Sequence, residues 1–288
     1  MSFEKVGVVG GGTMGAGIAE VCAKADAEGV KDVVVREIND AAIDAGRARI
    51  ASSLDRALRS GRLEQETYDA ILGRIRWTTS FEELADRDLV IEAVVESEQV
   101  KTEIFQVLDQ VVTRPDAILA SNTSSIPLVK LAVATSRPDH VVGIHFFNPA
   151  PVQKLVEIVP TLTTSAETVA RAEALTREIL GKDPIRARDR AGFVVNALLV
   201  PYLLSAVRMF ESGIATAEDI DKGMEAGCAH PMGPLRLCDL IGLDTIVSIA
   251  DSMYQEYKEQ LYAAPPLLQR MVDAGLLGRK SGRGFYQY

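Results

Sequence analysis

The chain has 288 residues, 40 acidic against 31 basic, and a formal net charge of −9, with 47% apolar and 25% charged residues. That is an ordinary water-soluble composition and enough length for about two domains. The acidic balance excludes a general nucleic-acid binder and speaks against docking on an anionic membrane, while three cysteines without CxxC spacing and three histidines exclude a disulfide framework and a His/Cys metal cluster.

Taken in chain order, MSFEKVGVVGGG has no apolar signal core, which points to a cytoplasmic protein. Lys5–Val9 reads as a strand feeding a glycine cluster, and Ala16–Ala25 as the helix after it. Asp32–Ile38 is a second strand and Ala41 to about Ser60 a long helix. Asp88–Val95 is a near-continuous apolar run, the pattern of a central parallel strand covered on both faces. Glu98–Val112 carries apolar residues at helical spacing, and further strands are expected at Ala117–Ala120, His140–Phe146, Lys154–Val159 and Pro184–Arg188. From Gly192 onward strand patterns vanish, and Phe193–Phe210, Ala217–Ala229, Pro234–Tyr257 and Pro265–Ala274 read as helices separated by Gly and Pro. The charge-free stretch Gly192–Val207 contains Asn196 and Pro201 and is short for a membrane span. The expected plan is an α/β domain over residues 1–190 with a mostly parallel sheet, followed by an all-α domain over residues 191–288.

Gly10-Gly11-Gly12-Thr13-Met14-Gly15 satisfies GxGxxG between the first strand and the first helix. In that context Gly10 permits the tight turn, Gly12 lets backbone approach a pyrophosphate, and Gly15 allows close helix–strand packing, with Thr13 and Met14 in the helix's first turn. Glu37 follows the second strand, 22 residues after Gly15, where a dinucleotide fold places the acid that holds the adenosine ribose. The first domain is therefore expected to be Rossmann-type. A carboxylate at 37 favours NAD over NADP, although Arg36 beside it is the usual answer to a 2′-phosphate.

His145 ends an apolar strand, and carboxyl ends of parallel strands are where such sheets bind ligands; His140 and His230 read as turn and helix-end residues. Glu157 lies on the strand that returns after the Asn148–Gln153 turn and could orient the imidazole. Ser121-Asn122-Thr123-Ser124-Ser125 closes another strand with more polar groups than a helix cap requires, although capping alone would explain Ser125. Gly46–Arg62 gathers five arginines against one aspartate, a local net of +4 that can meet a polyanion despite the acidic total, or can simply be a solvated helix face.

The segments GVVGGGTMGAGIA, DLVIEAVVE, ASNTSS, GIHFFNPAPVQKLVE, GFVVNALLVPYL, HPMGPLRLCDLIGLD and GRKSGRGFYQY, in this order along the whole chain, resemble the 3-hydroxyacyl-CoA dehydrogenase family. The resemblance implies NAD-linked, reversible oxidation of a short-chain (S)-3-hydroxyacyl-CoA such as (S)-3-hydroxybutyryl-CoA to the ketone. It makes His145 the general base, Glu157 its partner, Ser124 a donor to the substrate oxygen that also touches the cofactor, and Asn196 a second donor to that oxygen from the helical domain. It maps cofactor contacts onto Glu96, Lys101, Asn148 and Lys280, and coenzyme A contacts onto Ser53, with Arg56 and Arg59 near it. A lysine used by some relatives aligns with Ser60, the ribose acid is Glu37 where aspartate is commoner, and the connection AKADAEGVKD is longer than usual. Relatives of this kind pair as homodimers through the helical domain. The rivals are a dehydrogenase of a free hydroxy acid or sugar acid, which would rely on a lysine in the helical domain where only Lys222 offers itself, and a non-catalytic NAD-binding or structural relative, against which intact His145, Glu157, Ser124 and Asn196 speak.

Overall fold

A computed structural model describes residues 3–25 and 29–288; the middle of the AKADAEGVKD connection lies outside the described residues. The chain divides into two units that meet in sequence between Asp189 and Arg190.

The first unit is built on one sheet of eight strands, β1 (Lys5–Val9), β2 (Asp32–Arg36), β3 (Ile75–Thr78), β4 (Leu89–Glu92), β5 (Ile118–Ser121), β6 (Val141–Phe146), β7 (Leu155–Pro160) and β8 (Asp183–Arg186), in the order β3-β2-β1-β4-β5-β6-β7-β8. Every pairing is parallel except β6 with β7, which is antiparallel. Helices α1 (Thr13–Lys24), α2 (Asp40–Arg59), α3 (Gln65–Gly73), α4 (Glu98–Val111), α5 (Leu128–Ala132) and α6 (Ala166–Ala174) connect the strands. β1, β4, β5 and β6 are buried along almost their whole length, as a sheet covered on both faces demands. Asn39, Ser97 and Ser165 cap α2, α4 and α6 by accepting a backbone N–H three residues on. Among the described residues no side chain caps the start of α1, which leaves its first N–H groups open at the carboxyl edge of the sheet.

The second unit is helical: α7 (Val195–Glu211), α8 (Ala217–Cys228), α9 (Pro234–Ile241), α10 (Leu243–Tyr257) and α11 (Pro266–Asp273) pack around Leu203, Leu204, Val207, Leu235, Cys238, Ile246 and Leu268. The C-terminal tail is held by two buried carboxylates. Asp239 accepts from Phe285 N and Tyr286 N at 2.9 Å each, and Asp221 accepts from the Tyr286 hydroxyl at 2.7 Å.

Three features differ from the sequence reading. The helix expected over Pro234–Tyr257 breaks at Gly242, whose φ of +103° no helical residue adopts, giving α9 and α10. β3, α3 and α6 are elements that the sequence pattern does not show. Ser125 does not cap α5; the Asp189 carboxylate does, accepting from Leu128 N at 2.9 Å and Val129 N at 2.8 Å. Among the described residues no helix is long and apolar enough to cross a membrane.

Candidate active site

The chemistry-bearing groups of the first unit gather along the carboxyl ends of β1, β2, β4, β5 and β6. At the end of β1, Gly10 has φ +97°, and a Cβ on Gly15 would stand 1.8 Å from the Gly10 carbonyl oxygen, so both must be glycine for reasons inside the chain. Gly12 is different: a Cβ there would meet nothing within 4 Å, so the demand for a bare backbone must come from what approaches it. The Glu37 carboxylate accepts from Gly11 N at 2.5 Å and from Ile38 N at 3.0 Å, standing directly beside the loop. Arg36 is engaged elsewhere: its guanidinium lies 3.9 Å over the Phe81 ring and donates to the Thr79 carbonyl, which leaves Glu37 to set the local charge. The single tryptophan, Trp77, props the loop from behind, since a Cβ on Gly11 or Gly46 would meet its ring at 2.8 or 2.5 Å. Free helix N–H groups, a bare Gly12 and an acid at Glu37 form a cradle that fits a dinucleotide.

The antiparallel β6–β7 pair puts His145 directly opposite Glu157. The two are 4% and 0% exposed, and His145 Nδ1 lies 2.7 Å from Glu157 Oε2. On the other side of the ring Nε2 lies 2.9 Å from Ser124 Oγ. With Nδ1 donating to the carboxylate, Nε2 is the basic nitrogen and the Ser124 hydroxyl is its donor. The Phe147 ring stands edge-on at 4.8 Å and helps hold the imidazole plane.

Each residue of the 121–125 run has a job. Ser121 donates to Glu92 at 2.6 Å, and the Asn122 Oδ1 accepts from Phe146 N at 2.8 Å, tying the end of β5 to the end of β6. Glu96 Oε1 accepts from the Thr123 hydroxyl, Ser124 N (3.0 Å), Ser125 N (3.2 Å) and the Ser125 hydroxyl (3.0 Å), which fixes the turn that carries Ser124. Burial pushes the Glu96 carboxyl up, but the Lys101 ammonium and the hydroxyls of Thr123 and Ser125 outweigh it and hold it below the usual carboxylate range. Lys101 itself is buried, 2.6 Å from Glu92 Oε1 and 3.2 Å from Glu96 Oε2. Glu92, at the end of β4, was not singled out from the sequence, although an acid inside an otherwise apolar central strand is a legible signal.

A cavity of about 460 Å³ opens beside this site, between α1, α2 and the turn Asn148–Pro151. Ser53 and Arg56 line it together with Thr13 and Asn148, whereas Arg59 does not, its Nε being turned to the Asp55 carbonyl. Asn196 and Lys280 belong to the second unit. Asn196 is the second residue of α7, and Lys280 Nζ lies 2.7 Å from Asp244 Oδ2. His140 lies near Asp139 and His230 near the Tyr202 hydroxyl, both outside this constellation. Among the described residues no group of three His, Cys, Asp or Glu could hold a metal ion.

Two family models together match nearly the whole chain: "3-hydroxyacyl-CoA dehydrogenase, NAD binding domain" over residues 5–190 and "3-hydroxyacyl-CoA dehydrogenase, C-terminal domain" over residues 192–288. The chain is 58% identical to the 3-hydroxybutyryl-CoA dehydrogenase of Mycobacterium tuberculosis over 287 residues, covering 100% of this chain and 99% of that protein. Among solved structures, FadB2 of M. tuberculosis superposes with a TM-score of 0.97 at 58% identity, covering all of both chains. The (S)-3-hydroxybutyryl-CoA dehydrogenase PaaH1 of Ralstonia eutropha superposes with a TM-score of 0.92 at 46% identity, covering 100% of this chain and 99% of that one.

Proposed function

The chain belongs to the 3-hydroxyacyl-CoA dehydrogenase family, and on that footing we propose that it catalyses the reversible, NAD-linked oxidation of (S)-3-hydroxybutyryl-CoA to acetoacetyl-CoA. The observation that carries this reading is the Ser124–His145–Glu157 relay at the sheet's carboxyl edge. His145 Nε2 takes the proton of the 3-hydroxyl, and Nδ1–H donating to Glu157 stabilises the imidazolium that results. The Ser124 hydroxyl, placed 2.9 Å from the same nitrogen, turns to the substrate oxygen and holds it as it becomes a carbonyl. Asn196 is assigned a further bond to that oxygen on the strength of the GFVVN motif. Gly10, Gly12, Thr13, Met14 and Gly15 with Glu37 are the residues that would hold NAD, and Glu96, Lys101, Asn148 and Lys280 are assigned further contacts to it. When bound, NAD supplies the hydride acceptor.

Ser53 and Arg56 in the cavity wall, with Arg59 on the same helix, are assigned to coenzyme A, whose phosphates the local positive charge of α2 would meet. The free cysteines fit a reducing compartment, so we place the enzyme in the cytoplasm. We further propose a twofold homodimer through the helical unit. While α7 buries Val200, Leu203, Leu204 and Val207 inward, it leaves Val194 at its cap, Leu198 and Met209 exposed.

The substrate class is tested by following NADH oxidation with acetoacetyl-CoA and with free acetoacetate. Turnover confined to the thioester is expected; comparable turnover of the free acid would favour a hydroxy-acid dehydrogenase.

A further inference from the structure

The cavity beside the His145 site contains a group that neither the cofactor loop nor the relay uses. α1 turns Thr13, Ala16, Gly17 and Glu20 toward it, the one-face spacing of a helix. Glu20 is 1% exposed, and its helical neighbours Ile18, Ala19, Val21 and Cys22 are all buried small or apolar residues. One of its oxygens, Oε1, is bound by Lys24 one turn later; the other, Oε2, is buried with no hydrogen-bond partner among the described residues. An acid in such a place is unusual, because buried acceptors nearly always find a donor. The facing wall on α2 is rich in donors, with the guanidinium groups of Arg49 and Arg56 and the hydroxyl of Ser53, and Glu20 is the one acidic residue among the described residues that line the cavity, its Oε2 closed to solvent in this conformation.

We infer that the Glu20 carboxylate turns into the cavity when the acyl-CoA substrate binds and that its Oε2 then accepts a hydrogen bond from a secondary amide N–H of the pantetheine arm, making Glu20 a specificity-determining residue for amide-bearing thioesters. This rests on the acyl-CoA assignment above. The pantetheine arm carries two secondary amides, and each N–H that leaves water must find an acceptor or the desolvation is uncompensated. The arginine-lined wall suits the phosphates at the far end of the same molecule, and the cavity also touches Asn148, three residues beyond His145. A site built around a hydrogen bond discriminates sharply against an analogue that lacks the donor.

The test compares kcat/KM for S-acetoacetyl-N-acetylcysteamine, which keeps one amide and has no nucleotide, with that for S-ethyl acetothioacetate, which has no amide, alongside acetoacetyl-CoA. Glu20→Met fills about the same volume and offers an N–H only a weak thioether acceptor; it also removes the ion pair to Lys24, whose partly exposed ammonium can be solvated instead, so the fold should persist, which a thermal melt checks. We expect it to lower the amide-to-ethyl preference of the wild type about tenfold or more, and kcat/KM for acetoacetyl-CoA by a similar factor. Glu20→Gln, whose side-chain carbonyl can accept, should retain most of that preference. A preference unchanged in Glu20→Met, or an equal loss on all three substrates, overturns the role. If the wild type itself ignores acetoacetyl-CoA, the substrate assignment falls and takes this role with it, so the wild-type and variant results separate the two failures.

Discussion

At the scale of single residues, His145 is useful because its two nitrogens are committed differently. Glu157, opposite it on the neighbouring strand, holds Nδ1, which leaves Nε2 to face Ser124 and, in the proposed reaction, the substrate. Glu157→Gln keeps the shape and loses the counter-charge and the fixed tautomer. Turnover should fall by about 10²-fold or more. An unchanged rate at every pH would remove Glu157 from the mechanism. Glu96 works differently, as an anchor for the Ser124 turn. Its folded carboxyl titrates below the ordinary value of 4.5, so the stability it lends is complete above that value and is lost only as pH falls through the lowered one. Loss of activity between pH 5 and 8 therefore belongs to another group. His145 and Glu157 were legible in the sequence because they stand on consecutive apolar strands joined by one short turn. Glu20 was not: an isolated acid in a helix looks like surface until its burial is known.

At the scale of elements, glycine has two distinct uses in the phosphate loop, and a pair of substitutions separates them. Gly15→Ala drives a methyl group into the Gly10 carbonyl and should cost about 1–3 kcal/mol of stability as well as NADH affinity. Gly12→Ala meets no protein atom and has an ordinary φ of −64°, so its melting temperature should stay near the wild type while NADH affinity drops about tenfold or more. Thermal melts and NADH titrations on Trp77 fluorescence would show both. Equal stability losses in the two variants would mean that the loop, not the ligand, sets the requirement at Gly12. The βαβ elements were readable from their apolar runs because parallel strands are buried on both faces. β3 was not, since Arg76 interrupts a four-residue edge strand whose exposed positions carry no pattern. The split of α9 from α10 was hidden for a related reason: apolar spacing continues across Gly242, and only its backbone conformation breaks the helix.

For the whole molecule, a net charge of −9 coexists with five arginines between Gly46 and Arg62, four of them on α2. Charges more than about 8–10 Å apart are largely screened at cellular salt, so a phosphorylated substrate would meet the local arginines rather than the acidic total. The apolar stretch Phe193–Phe210 and the Leu-rich segments after Pro234 exceed what one small helical unit is expected to bury alone, and α7 leaves apolar residues exposed. Leu198, 75% exposed, is the residue that tests the proposed dimer. Leu198→Glu should leave the fold intact and shift sedimentation from dimer to monomer. A monomeric wild type, or a variant that remains dimeric, would place the association elsewhere or rule it out.

The most direct measurement is turnover of acetoacetyl-CoA by His145→Gln alongside its NADH affinity, read from Trp77 fluorescence. Removing the base should cut turnover by about 10²–10⁴-fold while NADH binding stays within about twofold of the wild type. Near-normal turnover with intact NADH binding would contradict His145 as the base.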